Sequence, residues 1–423
     1  MQRNYLRVGS IVLVSVIVCI YTACSSLLED PSRSDEWLEK GDVYEKAGKH
    51  ELALKCYDKA VRLNPGHTRG YSYRAQAKLE LHDFKGAIDD YTKAIALRPR
   101  DPFYYTHRGI ARRKAQDFEG ARADCLRAVE IDDKDPLAYR ELGNIAKELE
   151  KYSEASRYYT QAIEADPDSK SVYVLYWSRG LVELELKQYD ASRRDFMKAR
   201  ELKPEDGQTW CNLGNLELEL GNSREAIRAF EEALKRNPKL GLAFNNLGIA
   251  LMVSGQFDKA VEQFTKAIEI KSSGLRFTNR GAARLAVGKY DQAMADFEEA
   301  LKIEPNNGYP RFYLVLILRL QKKGQGVEEL DTVLKKSEDA WEKQIAGLLL
   351  GSVSRDAMLA EANKNEPHKI AAKKCDVYYY SGMLHLIAGE KDQARESFKQ
   401  CLMTECFSDV VYILAAAELK RLG

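Results

Sequence analysis

The sequence predicts an all-α fold, in which pairs of antiparallel helices follow one another as a right-handed solenoid that ends in a helical cap. No stretch of alternating apolar and polar residues, the pattern of a half-buried strand, interrupts the helical patterning. Small residues recur every 33 to 37 residues, at Gly41, Ala75, Gly109, Gly143, Gly180, Gly214, Gly248 and Gly281. A repeat of this length indicates one helix-turn-helix unit per period.

The residues around each small position give a physical reason for the fold. A second small residue follows after 12 positions, an alanine after a further seven, and a proline ends most units. Small residues allow two helices to approach closely, bulky groups fill the space between them, and proline stops the second helix because it lacks an amide proton. These features together resemble the tetratricopeptide repeat (TPR) family, and that resemblance implies a solenoid of 34-residue helical hairpins.

The period divides the chain into segments. Eight repeats are predicted at 34–67, 68–101, 102–135, 136–169, 173–206, 207–240, 241–273 and 274–307, together residues 34–307. Residues 308–337 are predicted to form a degenerate repeat with a buried helix at 312–320. Residues 338–374 are predicted to be an irregular helical segment with helices at 341–350 and 354–363 and a loop at Pro367. Residues 375–423 are predicted to form a TPR-like pair of helices followed by a capping helix at 408–422.

The first residues differ from the rest of the chain. Arg3 and Arg7 precede 14 residues without a charge, fewer than the roughly 20 apolar residues that a membrane-spanning helix needs. The stretch is typical of an export signal, so residues 1–23 are predicted to be a lipoprotein-type signal peptide and residues 24–33 a tether.

The segment TACSS resembles the lipobox of bacterial lipoproteins. This resemblance implies that Cys24 carries a lipid, and Ser25 after it implies an outer-membrane destination facing the periplasm. A plain secretory signal and an uncleaved anchor are the alternatives.

Composition and motifs narrow the function class. Lys and Arg number 65 against 64 Asp and Glu, so there is no global positive field that would hold a nucleic acid. The six histidines show no metal-binding spacing, and no nucleophile or phosphate-loop motif occurs. We therefore expect no catalytic residue, no metal and no cofactor, and the chain is not predicted to be an enzyme.

Six cysteines follow Cys24, and none forms a CxxC pair. Buried thiols are the favoured interpretation. A disulfide between Cys401 and Cys406, which are closest in sequence, is the alternative.

Positions 2, 6, 9 and 13 of each first helix lie opposite its packing face and are predicted to line a concave groove. Asn212, Asn246 and Asn279 all occupy position 6, and Asn215 lies on the same stripe. An amide offers a donor and an acceptor, as a peptide bond does. The row resembles the asparagine ladder by which some TPR proteins, O-GlcNAc transferase among them, bind a peptide backbone. Solvated surface asparagines are the alternative.

A second stripe in the fourth repeat carries Arg140, Asn144 and Lys147, and Arg113 of the third repeat can join it. Cations that flank an amide resemble part of the carboxylate clamp that other TPR domains use on a C-terminal carboxylate. Solvated cations on a helix surface are the alternative.

The segment WCNLGN contains both predicted core residues and predicted groove residues. Trp210, Leu213 and Gly214 occupy packing positions and are predicted to be core residues. Cys211 is predicted to be partly exposed at the edge of the groove.

Residues 274–423 resemble NlpI-type bacterial lipoproteins, through NRGAARLAVGKYDQAMADFEEAL, LLLGSVSRDAML and YYYSGMLHLIAGEKDQARESFKQCL. That resemblance implies a membrane-tethered periplasmic adaptor, often a homodimer, that presents envelope proteases or peptidoglycan hydrolases. The function expected is therefore a scaffold that binds extended segments of partner proteins. A structural assembly factor for a pilus or an outer-membrane complex is the alternative.

Overall fold

The computed structural model describes residues 33–324 and 326–423. The predicted signal peptide, Cys24 and all but the last residue of the predicted tether lie outside the described residues. No helix in the described part of the chain is both long and apolar enough to cross a membrane.

The described residues form α-helices joined by short turns and contain no β-strand, which confirms the predicted fold class. The first helices of the eight repeats are α1 Ser34–Lys46, α3 Thr68–Glu80, α5 Pro102–Lys114, α7 Pro136–Glu148, α9 Val172–Glu185, α11 Gly207–Glu219, α13 Gly241–Val253 and α15 Gly274–Ala286. The second helices are α2 His50–Leu63, α4 Phe84–Leu97, α6 Phe118–Ile131, α8 Tyr152–Ala165, α10 Tyr189–Leu202, α12 Ser223–Arg236, α14 Phe257–Ile270 and α16 Tyr290–Ile303.

The remaining helices are α17 Gly308–Leu320, α18 Val327–Lys336, α19 Ala340–Leu350, α20 Arg355–Ala362, α21 Pro367–Ala388, α22 Lys391–Leu402 and α23 Val410–Leu422. The chain divides into two compact units, with the boundary between Leu186 and Lys187. The first unit ends with α9 and the second begins with α10.

In five of the eight repeats the hairpin closes where a glycine of the first helix meets an aromatic ring of the second, whereas Gly109 of the third repeat meets Cys125. A Cβ atom on Gly214 would lie 2.6 Å from the ring of Phe230, and one on Gly248 would lie 2.6 Å from the ring of Phe264. Both rings are fully buried. The glycine period of the sequence therefore marks the points at which the two helices are too close for any side chain.

Buried ion pairs join the two helices of several repeats. Asp296 on α16 is 2% exposed and accepts hydrogen bonds from Arg280 and Arg284 on α15, each at 2.7 Å. Asp90 with Arg74 and Lys78, and Asp124 with Arg108 and Arg112, repeat this arrangement. The pairing fixes the rotation of each first helix against its second helix, because a buried carboxylate must keep its cations.

The C-terminal segment differs from the predicted layout. Pro367 is the first residue of the 22-residue helix α21 and does not lie in a loop. Proline is favoured at this position because the first amide of a helix has no partner to lose. The predicted boundary between residues 374 and 375 therefore falls inside a helix, so the irregular segment and the TPR-like pair are continuous.

Asp376 of α21 connects three helices at the centre of this segment. Its carboxylate accepts a 2.9 Å hydrogen bond from the indole of Trp341 on α19 and a 3.5 Å hydrogen bond from the hydroxyl of Tyr309 on α17. Burial raises the pKa of Asp376 well above its usual value. The carboxyl group thus links the three helices through hydrogen bonds inside the core.

Candidate protein-binding face

The first-helix face is the surface formed by positions 2, 6, 9 and 13 of the first helices. Within each unit, neighbouring first helices contact one another, as α1 with α3, α5 with α7, α11 with α13, and α13 with α15. In these pairs, side chains of successive first helices lie next to one another, which is the arrangement that a long ligand requires.

The predicted asparagine ladder is not an open row of amides. Asn212 is 5% exposed and Asn279 is 2% exposed, whereas Asn246 and Asn215 are partly exposed. Two of the three predicted rungs thus lie below the surface. The helical period assigned these residues to the correct side of the helix, but it carries no information on how closely the neighbouring elements cover them.

The amides are hydrogen-bonded to one another across three repeats. Asn279 donates to Asn245 at 3.1 Å, Asn245 donates to Asn246 at 3.0 Å, and Asn246 donates to Asn215 at 2.8 Å. Asn245, which sequence reasoning left out, is the central member of this relay. It lies 34 residues, one repeat length, before Asn279, and this spacing is the feature of the sequence that could have identified it. The relay stabilises the packing of α11, α13 and α15 with groups that were predicted to bind a ligand.

Asn212 stands apart from this relay. Its carbonyl oxygen accepts a 3.3 Å hydrogen bond from Gln208, while its buried amide nitrogen has no partner among the described residues.

The last helix covers part of the same face. Helix α23 packs against α21 and α22, and it also lies against α13 and α15, the first helices of repeats seven and eight. Ser408 donates a 2.8 Å hydrogen bond to Glu219 at the end of α11, and Arg421 donates to the carbonyl oxygens of Leu285 and Ala286 at the end of α15. The predicted capping helix therefore also covers part of the first-helix face of its own chain.

The predicted carboxylate clamp already holds a carboxylate of this chain. Arg113 donates a 2.9 Å hydrogen bond to Glu141 and a 2.6 Å hydrogen bond to Glu148. Asn144 donates to the other oxygen of Glu141 at 3.0 Å, and Arg140 lies 3.5 Å from that oxygen. Lys147 is partly exposed. The prediction of an open clamp is corrected on this point, because Glu141 satisfies the groups that a ligand would meet.

Within WCNLGN, Leu213 and Gly214 are buried as predicted, whereas Cys211 and Trp210 differ from their predicted positions. Cys211 is fully buried, and burial raises the pKa of its thiol to about 12, so it is not an edge residue of the groove. Trp210 is only half-buried. Its ring lies between the guanidinium groups of Arg200 and Arg236, at 5.1 and 4.6 Å, so it packs at the border of the core.

The first two repeats carry an acidic pocket on the first-helix face. Asp35, Glu39 and Asp42 of α1 line it together with Arg69 and Tyr73 of α3, and its volume is about 330 Å³. The guanidinium group of Arg69 donates a 2.8 Å hydrogen bond to the hydroxyl of Tyr73 and lies 5.4 Å from its ring centre. Asp35 already contacts the ring nitrogen of His67 at 2.9 Å, and Asp42 pairs with Lys46 at 2.5 Å. Glu39 is therefore the carboxylate of this pocket that is best placed to meet a positively charged group.

An aromatic stack lies on the next repeat along the face. Phe103 is 45% exposed and stacks on His107, with the ring centres 3.8 Å apart. Burial lowers the pKa of His107, and a 2.8 Å contact between its ring nitrogen and the carbonyl oxygen of Phe103 only partly opposes this. The imidazole is therefore neutral at pH 7, and the stack presents a largely apolar surface.

No cluster of three or more His, Cys, Asp and Glu side chains that could hold a metal ion occurs in the described ranges.

Comparison with known proteins assigns the family. Models of the tetratricopeptide repeat match residues 34–67, 73–136, 136–169, 173–206, 211–274 and 276–307, which together are more than half of the chain. The chain is a tetratricopeptide repeat protein. Its architecture is accordingly a TPR solenoid, and its function class is that of a scaffold for interactions with other proteins or peptides.

Individual relatives are distant from this TPR protein. Superkiller protein 3 of Saccharomyces cerevisiae is 29% identical over 65 residues, which are 15% of this chain and 4% of that protein. Among solved structures, YrrB, described as a TPR protein with an unusual peptide-binding site, is 26% identical over 44% of this chain and 94% of its own, with a TM-score of 0.38. Yeast Tom70 is 14% identical over 92% of this chain and 96% of its own, with a TM-score of 0.43.

Proposed function

We propose that this protein is a non-enzymatic scaffold that binds an extended segment of a partner protein on the first-helix face of repeats one to three. The observation that carries this proposal is the half-exposed Phe103, stacked on His107 one repeat along the face from the acidic pocket. In the second unit α23 lies on the corresponding face, whereas among the described residues of the first unit no helix lies across it. An exposed aromatic ring next to a charged pocket is a common anchor for a ligand.

The chemistry of the face defines the ligand. The acidic pocket favours a lysine or arginine side chain, and the Phe103 stack favours an apolar side chain. Gln76, exposed at position 9 of the second repeat, offers an amide donor and acceptor to a peptide bond. Helices that pack about 8 to 10 Å apart are about three residues of extended chain from one another. We therefore expect the basic and apolar side chains to be about three to six residues apart.

The binding test uses fluorescein-labelled ten-residue peptides that contain one lysine and one leucine at spacings of one to eight residues. Anisotropy titration of the purified chain should select spacings of three to six. Phe103→Ala should weaken the best peptide at least tenfold, because a loss of about 1.4 kcal/mol at an aromatic anchor corresponds to that factor. Val43→Ala is the matched control, since Val43 is 66% exposed at position 10, outside the face.

Two other results would redirect the proposal. Binding that survives Phe103→Ala but is lost in Asn246→Ala would place the ligand on the asparagine relay of the second unit. Binding that is lost only in Trp210→Ala would favour the structural assembly factor, which works through broader surfaces. A pocket of about 240 Å³, lined by Trp210 of the first helix α11 and by Met197 and Arg200 of the second helix α10, supports that alternative.

The proposed scaffold is anchored in the bacterial cell envelope. The charged, apolar and small segments of residues 1–24 support this, and so does the resemblance of residues 274–423 to NlpI-type lipoproteins, which implies envelope proteases or peptidoglycan hydrolases as partners. Cys24→Ser should abolish incorporation of a radiolabelled fatty acid and release the protein from membranes. Ser25→Ala is the control that should leave labelling intact. Labelling that survives Cys24→Ser would exclude this anchor.

A further inference from the structure

Three cysteines of the second unit converge in the described structure. Cys375 of α21 and Cys401 of α22 are fully buried, and their Sγ atoms lie 2.9 Å apart. Cys406, in the segment before α23, is partly exposed and also interacts with Cys375. The other described cysteines, such as Cys125 and Cys211, have no thiol partner of this kind.

We propose that Cys375 and Cys401 form a reversible disulfide and that Cys406 is the thiol through which oxidation enters. The sequence alone favours buried thiols and offers a bridge between Cys401 and Cys406 only as the alternative, because these two are closest along the chain. The structure instead brings together two thiols that are 26 residues apart. This bridge does not depend on the proposed peptide binding.

The geometry favours the bond between Cys375 and Cys401. A covalent S–S bond is about 2.05 Å long, so the two sulfur atoms need to approach by less than about 1 Å. The helices that carry them already pack closely, since a Cβ atom on Gly382 of α21 would lie 2.6 Å from the ring of Phe398 on α22. Bond formation therefore requires little movement of the backbone.

The three thiols allow a balanced exchange with a low-molecular-weight disulfide, RSSR. The sulfur of the partly exposed Cys406 attacks RSSR, forms a mixed disulfide and releases one RSH. Cys375 then attacks the Cys406 sulfur and releases the second RSH. Finally Cys401 attacks the Cys375 sulfur and returns Cys406 to a thiol. Two cysteine thiols are thus oxidised, and RSSR is reduced to two RSH.

The environment of the thiols makes this exchange slow in both directions. The hydrogen bond with Cys401 and burial raise the pKa of the Cys375 thiol, and the contact with Cys375 and burial raise the pKa of the Cys406 thiol. Little reactive thiolate is present at pH 7. Once formed, the bridge is shielded from external thiols by its complete burial and holds α21 to α22 directly before α23.

The test uses the full chain, equilibrated with oxidised glutathione, blocked with one alkylating reagent, then reduced and labelled with a second. Mass spectrometry of the digest should place the second label on Cys375 and Cys401. The oxidised protein should melt about 5 to 10 °C higher, because the bridge closes a loop of this length in the unfolded chain. Cys375→Ser should abolish this rise, and Cys125→Ser, a buried cysteine of the first unit, should leave it unchanged.

The Cys406→Ser variant tests the role of Cys406 in forming the bridge separately from the existence of the bridge. The same final bridge should form in this variant, but at least about tenfold more slowly. An unchanged rate would overturn the role of Cys406. First-label alkylation of both Cys375 and Cys401 in the oxidised wild type, or a bridge between Cys401 and Cys406, would overturn the proposed pair without requiring any variant to fold.

Discussion

Leu414→Asp is expected to detach α23 from the second unit and to lower its melting temperature by roughly 10 °C. Leu414 is 1% exposed on the helix that packs against α21 and α22 and lies on α13 and α15. Removing a buried leucine costs about 2 to 5 kcal/mol, and an unpaired carboxylate in the same place adds several more. Since a change of 1 kcal/mol moves the melting temperature of a unit of this size by about 2 to 4 °C, the effect will be large.

Detachment of α23 can be distinguished from general destabilisation. Limited proteolysis should cut the segment around Met403, which is 80% exposed, before the repeats are cleaved. Binding of an apolar dye should rise as Leu285 and Ala286 of α15 lose their cover. Lys420→Asp is the matched control, because Lys420 is exposed on the same helix. If Leu414→Asp and Lys420→Asp melt and digest alike, α23 does not stabilise this unit.

The position of α23 also shows where prediction from the sequence ends. Each hairpin could be predicted because Gly214 and Phe230, like their equivalents, recur at a fixed distance in the chain and meet inside one repeat. The contact of Arg421 with Leu285 spans 136 residues and follows a segment without the period. No local pattern encodes such a contact, since it depends on how several irregular helices pack together.

The exposure of the candidate binding residues could not be predicted from the sequence for a similar reason. The period places Asn279 and Phe103 on the same kind of helix face, yet Asn279 is 2% exposed and Phe103 is 45% exposed. The difference arises from neighbouring side chains such as Asn245, which a single helix does not reveal. The convergence of Cys375 and Cys401 was hidden for the same reason, because the rotation of α21 against α22 is set by their contact and not by either sequence segment.

Glu141→Ala is expected to convert the fourth repeat into a site that accepts a carboxylate from solution. Removal of the Glu141 side chain, which is 4% exposed, leaves Arg113 and Asn144 without the oxygens that they now bind. Arg113 keeps Glu148 and is 20% exposed, so we expect a loss of about 2 kcal/mol, less than the 3 to 5 kcal/mol of a fully buried pair. The first unit should then melt about 4 to 8 °C lower.

Chemical rescue provides the decisive measurement for this variant. Acetate at concentrations up to about 100 mM should raise the melting temperature of Glu141→Ala, because binding to the folded state alone stabilises it by RT ln(1 + [L]/Kd). Chloride at the same ionic strength should not, since it cannot bridge a guanidinium group and an amide as a carboxylate does. Glu148→Ala is the control: Glu148 is 36% exposed, so its removal should cost less and give no rescue. Equal stabilisation of the wild type and Glu141→Ala by acetate would contradict the view that Glu141 occupies the clamp. A selective rescue would show that this repeat retains the groups of a carboxylate-binding site and that one internal side chain keeps it closed.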